Sequence, residues 1–397
     1  MKKVLAVNCG WEQAPTIQRI IDEGYEVHGV HHDDGYDKKL KLKSLLKADY
    51  FDLDSISKFF EQKDIDYIFT DQCDHSIFTA AYLSEKYSLS GPSLSSIIKT
   101  TNKWIQRTEL SNSKIRQPKF TLIKNFSEIE DFFLELKKEI IIKPIDARGS
   151  FGVHKVDSIT NLKEKYLDAV KNSKSKLVIA EEFINGYQIT VDGFCFDGSP
   201  KSLAVGFKRM ISGSKQVAIG IDYDLKRKLD IVKKAKDVND YIAQKLNLSF
   251  GFIHGEYMVD KNNDIYLVEL ANRGGGVFTS TICDSIASGV DLEGYLLESF
   301  GISVKKKNIE KNSVSLSFIT FNQRGKIKKI IGESQVNKLD EVHLFKLNIK
   351  EGDMLNDVSS DANRHAFAII KGDMDSAENI RNKIIEKLSI VTDEQGN

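Results

Sequence analysis

Glu256 and Glu269 stand on either side of the polar run Asp260-Lys261-Asn262-Asn263-Asp264, within the segment GFIHGEYMVDKNNDIYLVELANRGGGV that covers residues 251 to 277. Apolar and aromatic residues flank a cluster of turn formers on both sides, which predicts a hairpin of two short strands. Pairing about that turn brings the two carboxylates together on neighbouring strands. Like charges so placed tolerate each other only if one is protonated or a cation lies between them, and oxygen-rich sites completed by phosphate are where Mg²⁺ binds. An isolated pair of strand glutamates is more often a pair of solvated charges. Here both are flanked by apolar residues, and Glu269 is followed by Asn272, Arg273 and three glycines, so a metal ligand, an anion binder and close backbone approach come together.

Other chemistry-bearing residues point the same way. Lys143 interrupts the buried-strand pattern Ile140-Ile141-Ile142-Lys143-Pro144, and a lysine there is costly to bury without an anionic partner. Next comes Asp146-Ala147-Arg148-Gly149-Ser150-Phe151-Gly152-Val153, whose glycines and serine let backbone N–H groups converge on phosphate oxygens, although a plain hairpin turn reads equally well for this loop alone. Lys208 and Arg209 end a strand and on their own read as a surface basic pair.

Several elements must position these groups. Residues 1 to about 98 alternate strand-like and helix-like segments: KKVLAVN, PTIQRIIDEG, YEVHGVHH, a helix near KKLKLKSLL, DYIFT, and a helix from Ser76 to about Tyr87. That order predicts an α/β domain with a parallel sheet and with ligands near the carboxyl ends of its strands. The candidate substrate loops are His31 to Asp34 and Thr70 to Asp74. The loop after the first strand, Asn8 to Trp11, is not G-x-G-x-x-G, which argues against NAD and a dehydrogenase. His31 and His32 read as a solvated turn rather than metal ligands, since no other ligand has diagnostic spacing to them. After Gly91-Pro92, a helix capped near Ser93 or Ser95 precedes a second helix carrying Lys103 and Arg107. A helix from about Asn161 to Ser173 leads into the strand-turn-strand text LVIAEEFINGYQITVDGFCFDG. The helix Leu229 to Leu246 has a core-packing stripe. Residues 305 to 397 read as strands and one helix, AENIRNKIIEKLSIV, with a polar tail.

Composition excludes several classes. Lys plus Arg equals Asp plus Glu at 57 each, so no global field draws the chain to nucleic acid or lipid. The opening apolar run Val4 to Val7 is too short for a signal-peptide core, and no membrane-spanning run follows. Cys9, Cys73, Cys195 and Cys283 form no C-x-x-C pair and fit reduced thiols. A cytoplasmic protein is expected, with a homodimer as the default oligomer.

Taken together these motifs resemble the ATP-grasp superfamily, in the order expected over nearly the whole chain. His254-Gly255-Glu256 matches its H-x-E strand and Glu269 to Arg273 its E-x-N-x-R ending. The G-P-S text and the Lys103 helix resemble the family's phosphate-contacting segment. K-P-x-x-x-x-G-S-x-G-V resembles its phosphate lysine, Lys143, and flexible loop with Ser150 and Gly152. Glu181-Glu182-Phe183-Ile184 resembles the adenine hinge. The resemblance implies an N-terminal parallel-sheet domain (1–98), a central ATP-grasp domain (99–304) and a C-terminal cap like that of biotin carboxylase and L-amino-acid ligases (305–397). It implies ATP and Mg²⁺ as cofactors, with Mn²⁺ as a replacement, Glu256 and Glu269 as metal ligands, and Lys103, Lys143, Ser150, Gly152, Glu181, Glu182, Phe183, Ile184, Gln188 and His254 around the nucleotide. Arg273, Lys143 and Asn272 would carry catalysis, and Arg364 stands like a recurring arginine of the cap. The resemblance would place Lys208 and Arg209 near substrate or the γ-phosphate.

Two positions depart from the pattern. The usual third metal ligand is Ala271 here, so either Asn272 reaches the metal or the site uses two carboxylates, phosphate oxygens and water. Gln188 stands where a ribose-contacting glutamate is usual. The implied reaction is carboxylate activation by ATP, attack by an amine on the acyl phosphate, and release of ADP and phosphate. The substrates would be small molecules: amino acids, or phosphorylated or sugar-linked metabolites. The alternative is a catalytically silent, ATP-binding regulatory protein.

Overall fold

The computed structural model describes residues 1–147, 149, 151–210, 218–227, 229–358 and 364–393. Strands β1 (Lys3–Val7), β2 (Glu26–His31), β3 (Ser44–Lys47) and β4 (Tyr67–Phe69) form an all-parallel sheet in the order β3-β2-β1-β4. β1 reads as a continuous apolar run because both of its faces are buried. Helix α1 (Ala14–Asp22) crosses from β1 to β2 and α2 (Leu53–Lys63) from β3 to β4, while α3 (Asp74–Tyr87) follows β4.

The text KKLKLKSLL is not a helix. Its end, Ser44 to Leu46, lies in β3 (Ser44–Lys47), and Leu40, at the end of a turn whose Leu40 N–H donates to Asp37 O, packs with Leu42 on the core of Ile17, Ile20 and Val27. The Lys/Leu alternation has the period of two that suits extended chain, and that pairing outweighs helix propensity.

Helix α4 (Leu94–Thr101) is capped by Ser93, which accepts from the Ser96 N–H, and α5 (Lys103–Glu109) is capped by Asn102, which accepts from the Ile105 N–H. A small antiparallel sheet follows, built from β5 (Phe120–Ile123), β6 (Ile140–Pro144), β7 (His154–Val156) and β8 (Val178–Glu182) in the order β5-β8-β6-β7. Helices α6 (Phe126–Leu136) and α7 (Leu162–Asn172) cover one face through Ile129, Leu162 and Ala169, leaving the other face to a cleft.

The cleft floor is an eight-stranded sheet. It contains β9 (Tyr187–Phe196), β10 (Ser199–Met210), β11 (Ala218–Tyr223), β12 (Phe252–Val259), β13 (Ile265–Ala271) and β14 (Val314–Ile319). Helix α8 (Leu229–Lys245) packs beneath it, Ile231, Ala235 and Ile242 meeting Ile189, Val191, Ile253 and Tyr257. Further along the chain come β15 (Gly325–Ile331), β16 (Val342–Leu347), β17 (Met354–Leu355), β18 (Ala366–Lys371) and β19 (Ser389–Thr392). The sheet order is β13-β12-β9-β10-β11-β14-β18-β16, so strands from either side of residue 305 share one hydrogen-bonded sheet. The last helix stops at Lys387, and Ser389 to Val391, which the sequence joined to it, belong to β19, pairing with β15. Among the described residues no helix is long and apolar enough to cross a membrane.

Candidate active site

The glutamate hairpin forms as its turn chemistry dictates. Asp260 accepts from the Asn262 and Asp264 N–H groups, and Asn263 adopts the left-handed conformation that asparagine tolerates. β12 alternates strictly: Ile253, Tyr257 and Val259 enter the core under the sheet, while His254, Glu256 and Met258 line the cleft. On β13, Ile265 and Leu267 enter the core and Tyr266 and Val268 line the cleft, so the next residue would turn back into the core. Instead the register shifts after Glu256, with Tyr257 opposite Leu267 but Glu256 opposite Glu269. This bulge adds one residue to β13 and turns Glu269 onto the same face as Glu256.

Both carboxylates are met by lysines. Lys208 lies 2.9 Å from Glu256, and Lys103 lies 2.9 Å from Glu269. Burial pushes the Glu256 carboxyl up, but Lys208 and His254 outweigh it and hold it well below the usual range. Burial likewise works against the Lys103 ammonium, yet Glu269 raises it above its ordinary value. Gln188 donates to Glu256 Oε2 at 2.9 Å, so its amide supports a carboxylate in this structure.

Helix α5 ties the floor to the small sheet above it. Lys103 and Arg107 are four residues apart and share a helix face. Gln106 exchanges hydrogen bonds with the backbone of Leu270, and Arg107 donates to Val268 O, which fixes the helix against the bulged strand. Arg107 Nε lies 2.9 Å from Glu181 Oε1, and Lys143 Nζ lies 2.8 Å from Glu181 Oε2. Burial alone would raise the Glu181 carboxyl, but these two cations hold it down at about 2. For Lys143 burial prevails over Glu181, and its ammonium is lowered. Two cations on one carboxylate leave an excess positive charge in a dry place beside the cleft, a setting that favours a further anion.

Glu182, Phe183 and Ile184 line the cleft. The Phe183 N–H is spent on Glu139 O at 3.0 Å. Gly149, Phe151 and Val153 line the cleft as well, while Gly152 is turned away: a Cβ on it would meet Asn172 and Pro144. Ser150 lies outside the described residues.

The carboxyl ends of β1 and β4 bring Trp11, Glu12, Gln72 and Asp74 to the same cleft. Arg273 Nε donates to Asp74 Oδ1 at 2.7 Å, and this contact raises its guanidinium against the opposing effect of burial. The Gly274 N–H donates to Asp71 Oδ1, and a Cβ at Gly274 would stand 2.7 Å from Asp71 Oδ2, so only glycine fits. Burial raises Asp71 to about 6.

Asn272 does not reach the cleft. Its amide donates to Phe250 O and Phe252 O, and its oxygen accepts from Ser96, so it ties the hairpin to α4. The loop after β2 also stays outside the lining. His31, His32 and Asp33 do cluster. However, His31 Nδ1 accepts the Cys9 N–H, which places the ring proton on Nε2, facing Asp33, where a metal would need a lone pair.

His254 Nδ1 meets Asp192 Oδ1 at 2.5 Å, and Asp192 Oδ2 accepts from Tyr223. Burial works against the imidazolium, but Asp192 and Glu256 outweigh it and push His254 up to about 9. Asp192, Glu12 and Lys346 were not singled out from the sequence. Asp192 sits in the apolar alternation of β9, and its side chain faces His254 only because β9 pairs with β12. Arg364 lines the cleft with its guanidinium carbon 3.5 Å over the Phe318 ring. The cleft holds about 1160 Å³.

Residues 136–281 match the family described as the ATP-grasp domain. A D-alanine–D-alanine ligase of Azobacteroides pseudotrichonymphae genomovar. CFP2 is 26% identical over 233 residues, which are 54% of this chain and 68% of that protein. An L-amino acid ligase structure from Bacillus licheniformis superposes with a TM-score of 0.84 at 17% identity, covering 99% of both chains. A phosphoribosylglycinamide synthetase from Anaerococcus prevotii gives 0.76 at 17% identity over 98% and 99% of the two chains. At these identities the superpositions show a shared fold.

Proposed function

With an ATP-grasp domain at residues 136–281 as the premise, we propose that the chain is an ATP-dependent carboxylate-amine ligase that releases ADP and phosphate. The observation that carries this reading is the bulged pair Glu256 and Glu269, set side by side on a cleft where Lys103, Lys143 and Lys208 converge. Two adjacent carboxylates are a hard-oxygen donor set and fit Mg²⁺, with Mn²⁺ as a replacement of similar chemistry. When bound, the metal would neutralise charge on the transferring phosphoryl group.

The chain's own residues do the rest. Ile184 presents a backbone N–H to the adenine edge, and Lys143 meets phosphate with the charge that Glu181 leaves uncompensated. Lys103 and Lys208 exchange a carboxylate for a phosphate oxygen as the nucleotide enters. Arg273, held by Asp74, faces the reacting carboxylate and steadies the oxyanion formed when the amine attacks. His254, locked by Asp192, keeps a positive charge beside Glu256. No side-chain nucleophile is needed.

The test is ADP and phosphate release from Mg-ATP against a panel of amino acids, small carboxylates and amines, with products read by mass spectrometry and Glu269→Ala as control. Panel-dependent ADP and phosphate, absent in the control, support the ligase. AMP and pyrophosphate would overturn the acyl-phosphate route.

A further inference from the structure

Besides Arg364, which lies over Phe318, and Lys350, five lysine and arginine cations among the described residues line the cleft, and they differ in what they face. At the glutamate end each faces a carboxylate: Lys103 with Glu269, Lys143 with Glu181, Lys208 with Glu256, Arg273 with Asp74. At the other end, Lys346 lines the cleft from β16, at the opposite edge of the same sheet. Among the described residues it forms no ion pair. Its Nζ instead sits 3.5 Å over the Trp11 ring, and Trp11 is itself wedged between Phe278 and Phe367.

That arrangement is built from both ends of the chain. Trp11 belongs to the loop after β1, and Lys346 to a strand more than three hundred residues later. The aromatic face orients the ammonium, but a ring quadrupole neutralises far less charge than a carboxylate does. Asp37 and Glu12 act on it only at longer range, and burial lowers it to about 8. A half-buried cation held in this way, on the wall of a cleft, is a receptor for an anion.

We propose that Lys346, seated on Trp11, binds a second oxyanion on one of the ligase's substrates, remote from the carboxylate that is activated. The shared chemistry is a carboxylate or a phosphate ester, and it narrows the substrates to small molecules with an extra negative group. This rests on the ligase reading only in assigning the anion to a substrate; the binding itself is testable without turnover.

The experiment is calorimetric titration of the Mg-ADP-loaded full chain with L-aspartate, L-glutamate, O-phospho-L-serine, inorganic phosphate and L-alanine, for wild type, Lys346→Met, Lys346→Gln and Lys346→Arg. Nucleotide binding and the melting temperature confirm that each variant is folded. The expected result is tighter binding of an anionic probe than of L-alanine, weakened roughly ten- to hundredfold in Lys346→Met and Lys346→Gln and largely restored in Lys346→Arg. Loss confined to the dicarboxylic amino acids identifies a carboxylate, and loss confined to phosphoserine and phosphate identifies a phosphate ester. Equal binding of anionic and neutral probes, or equal loss of both in the variants, overturns the proposal. Binding of this pattern without any ADP release in the panel assay would instead count against the ligase reading alone.

Discussion

Replacing Glu181 by glutamine removes the single carboxylate that Arg107 and Lys143 share while preserving its shape. Arg107 is 1% exposed and Lys143 4%, so neither can turn to water. Removing one partner of a buried ion pair costs about 3–5 kcal/mol. The Glu181 carboxyl itself moves from 4.5 to about 2 on folding. At about 1.36 kcal/mol per unit that is roughly 3 kcal/mol, in agreement. Without nucleotide at pH 7, Glu181→Gln should therefore lower the melting temperature of this 397-residue chain by roughly 4–6 °C. Because the folded carboxyl lies below its unfolded value, this stabilisation is fully present above pH 4.5 and is lost as the pH falls towards 2. The gap between wild type and variant should close across that window. Mg-ATP at a hundredfold excess over its dissociation constant should return about 2.7 kcal/mol to any variant that still binds it. The assay is scanning calorimetry from pH 3 to 7, with and without nucleotide. A shift below about 2 °C at pH 7, or a gap that widens on acidification, would refute the reasoning.

Glu269→Gln should lower ADP release by a hundredfold or more in a coupled assay, with the melting temperature shifted only slightly, because its lysine partner is partly solvated. Gly274→Ala should destabilise by about 1–3 kcal/mol, read from urea midpoints, since its Cβ would collide with the buried Asp71 carboxylate. Asp71, raised to about 6 by burial, binds its proton more tightly folded than unfolded. Its ionisation should therefore cost stability as the pH rises from about 4 to 6, and Asp71→Asn should remove that decline in a melting-temperature profile. Asp192→Asn should weaken the hold on His254 and lower kcat by about tenfold or more without a comparable change in the KM for ATP, measured by steady-state kinetics.

The sequence by itself determined the kinds of chemistry and most of the elements that carry them. Local rules wrote the Asp260 turn, the Ser93 cap, the stripe of α8 and the buried strand interrupted by Lys143, because each depends on neighbours a few residues away. It also announced that Lys143 needs an anion, since burial of an ammonium is costly whatever the fold. What it could not decide were partners brought together across hundreds of residues. Asn272 looked like a ligand and is a structural tie between two strands and α4, and Lys346 looked like one lysine among many. The clearest case is the glutamate pair. Counting outward from the turn places Glu256 opposite Val268 and sends Glu269 into the core. The bulge at Val268 alone reverses this, and α5 holds it, Arg107 donating to the Val268 carbonyl and Gln106 exchanging hydrogen bonds with the Leu270 backbone. Strand register is settled by packing and long-range hydrogen bonds, so only the tertiary structure could put the second carboxylate on the same face as the first.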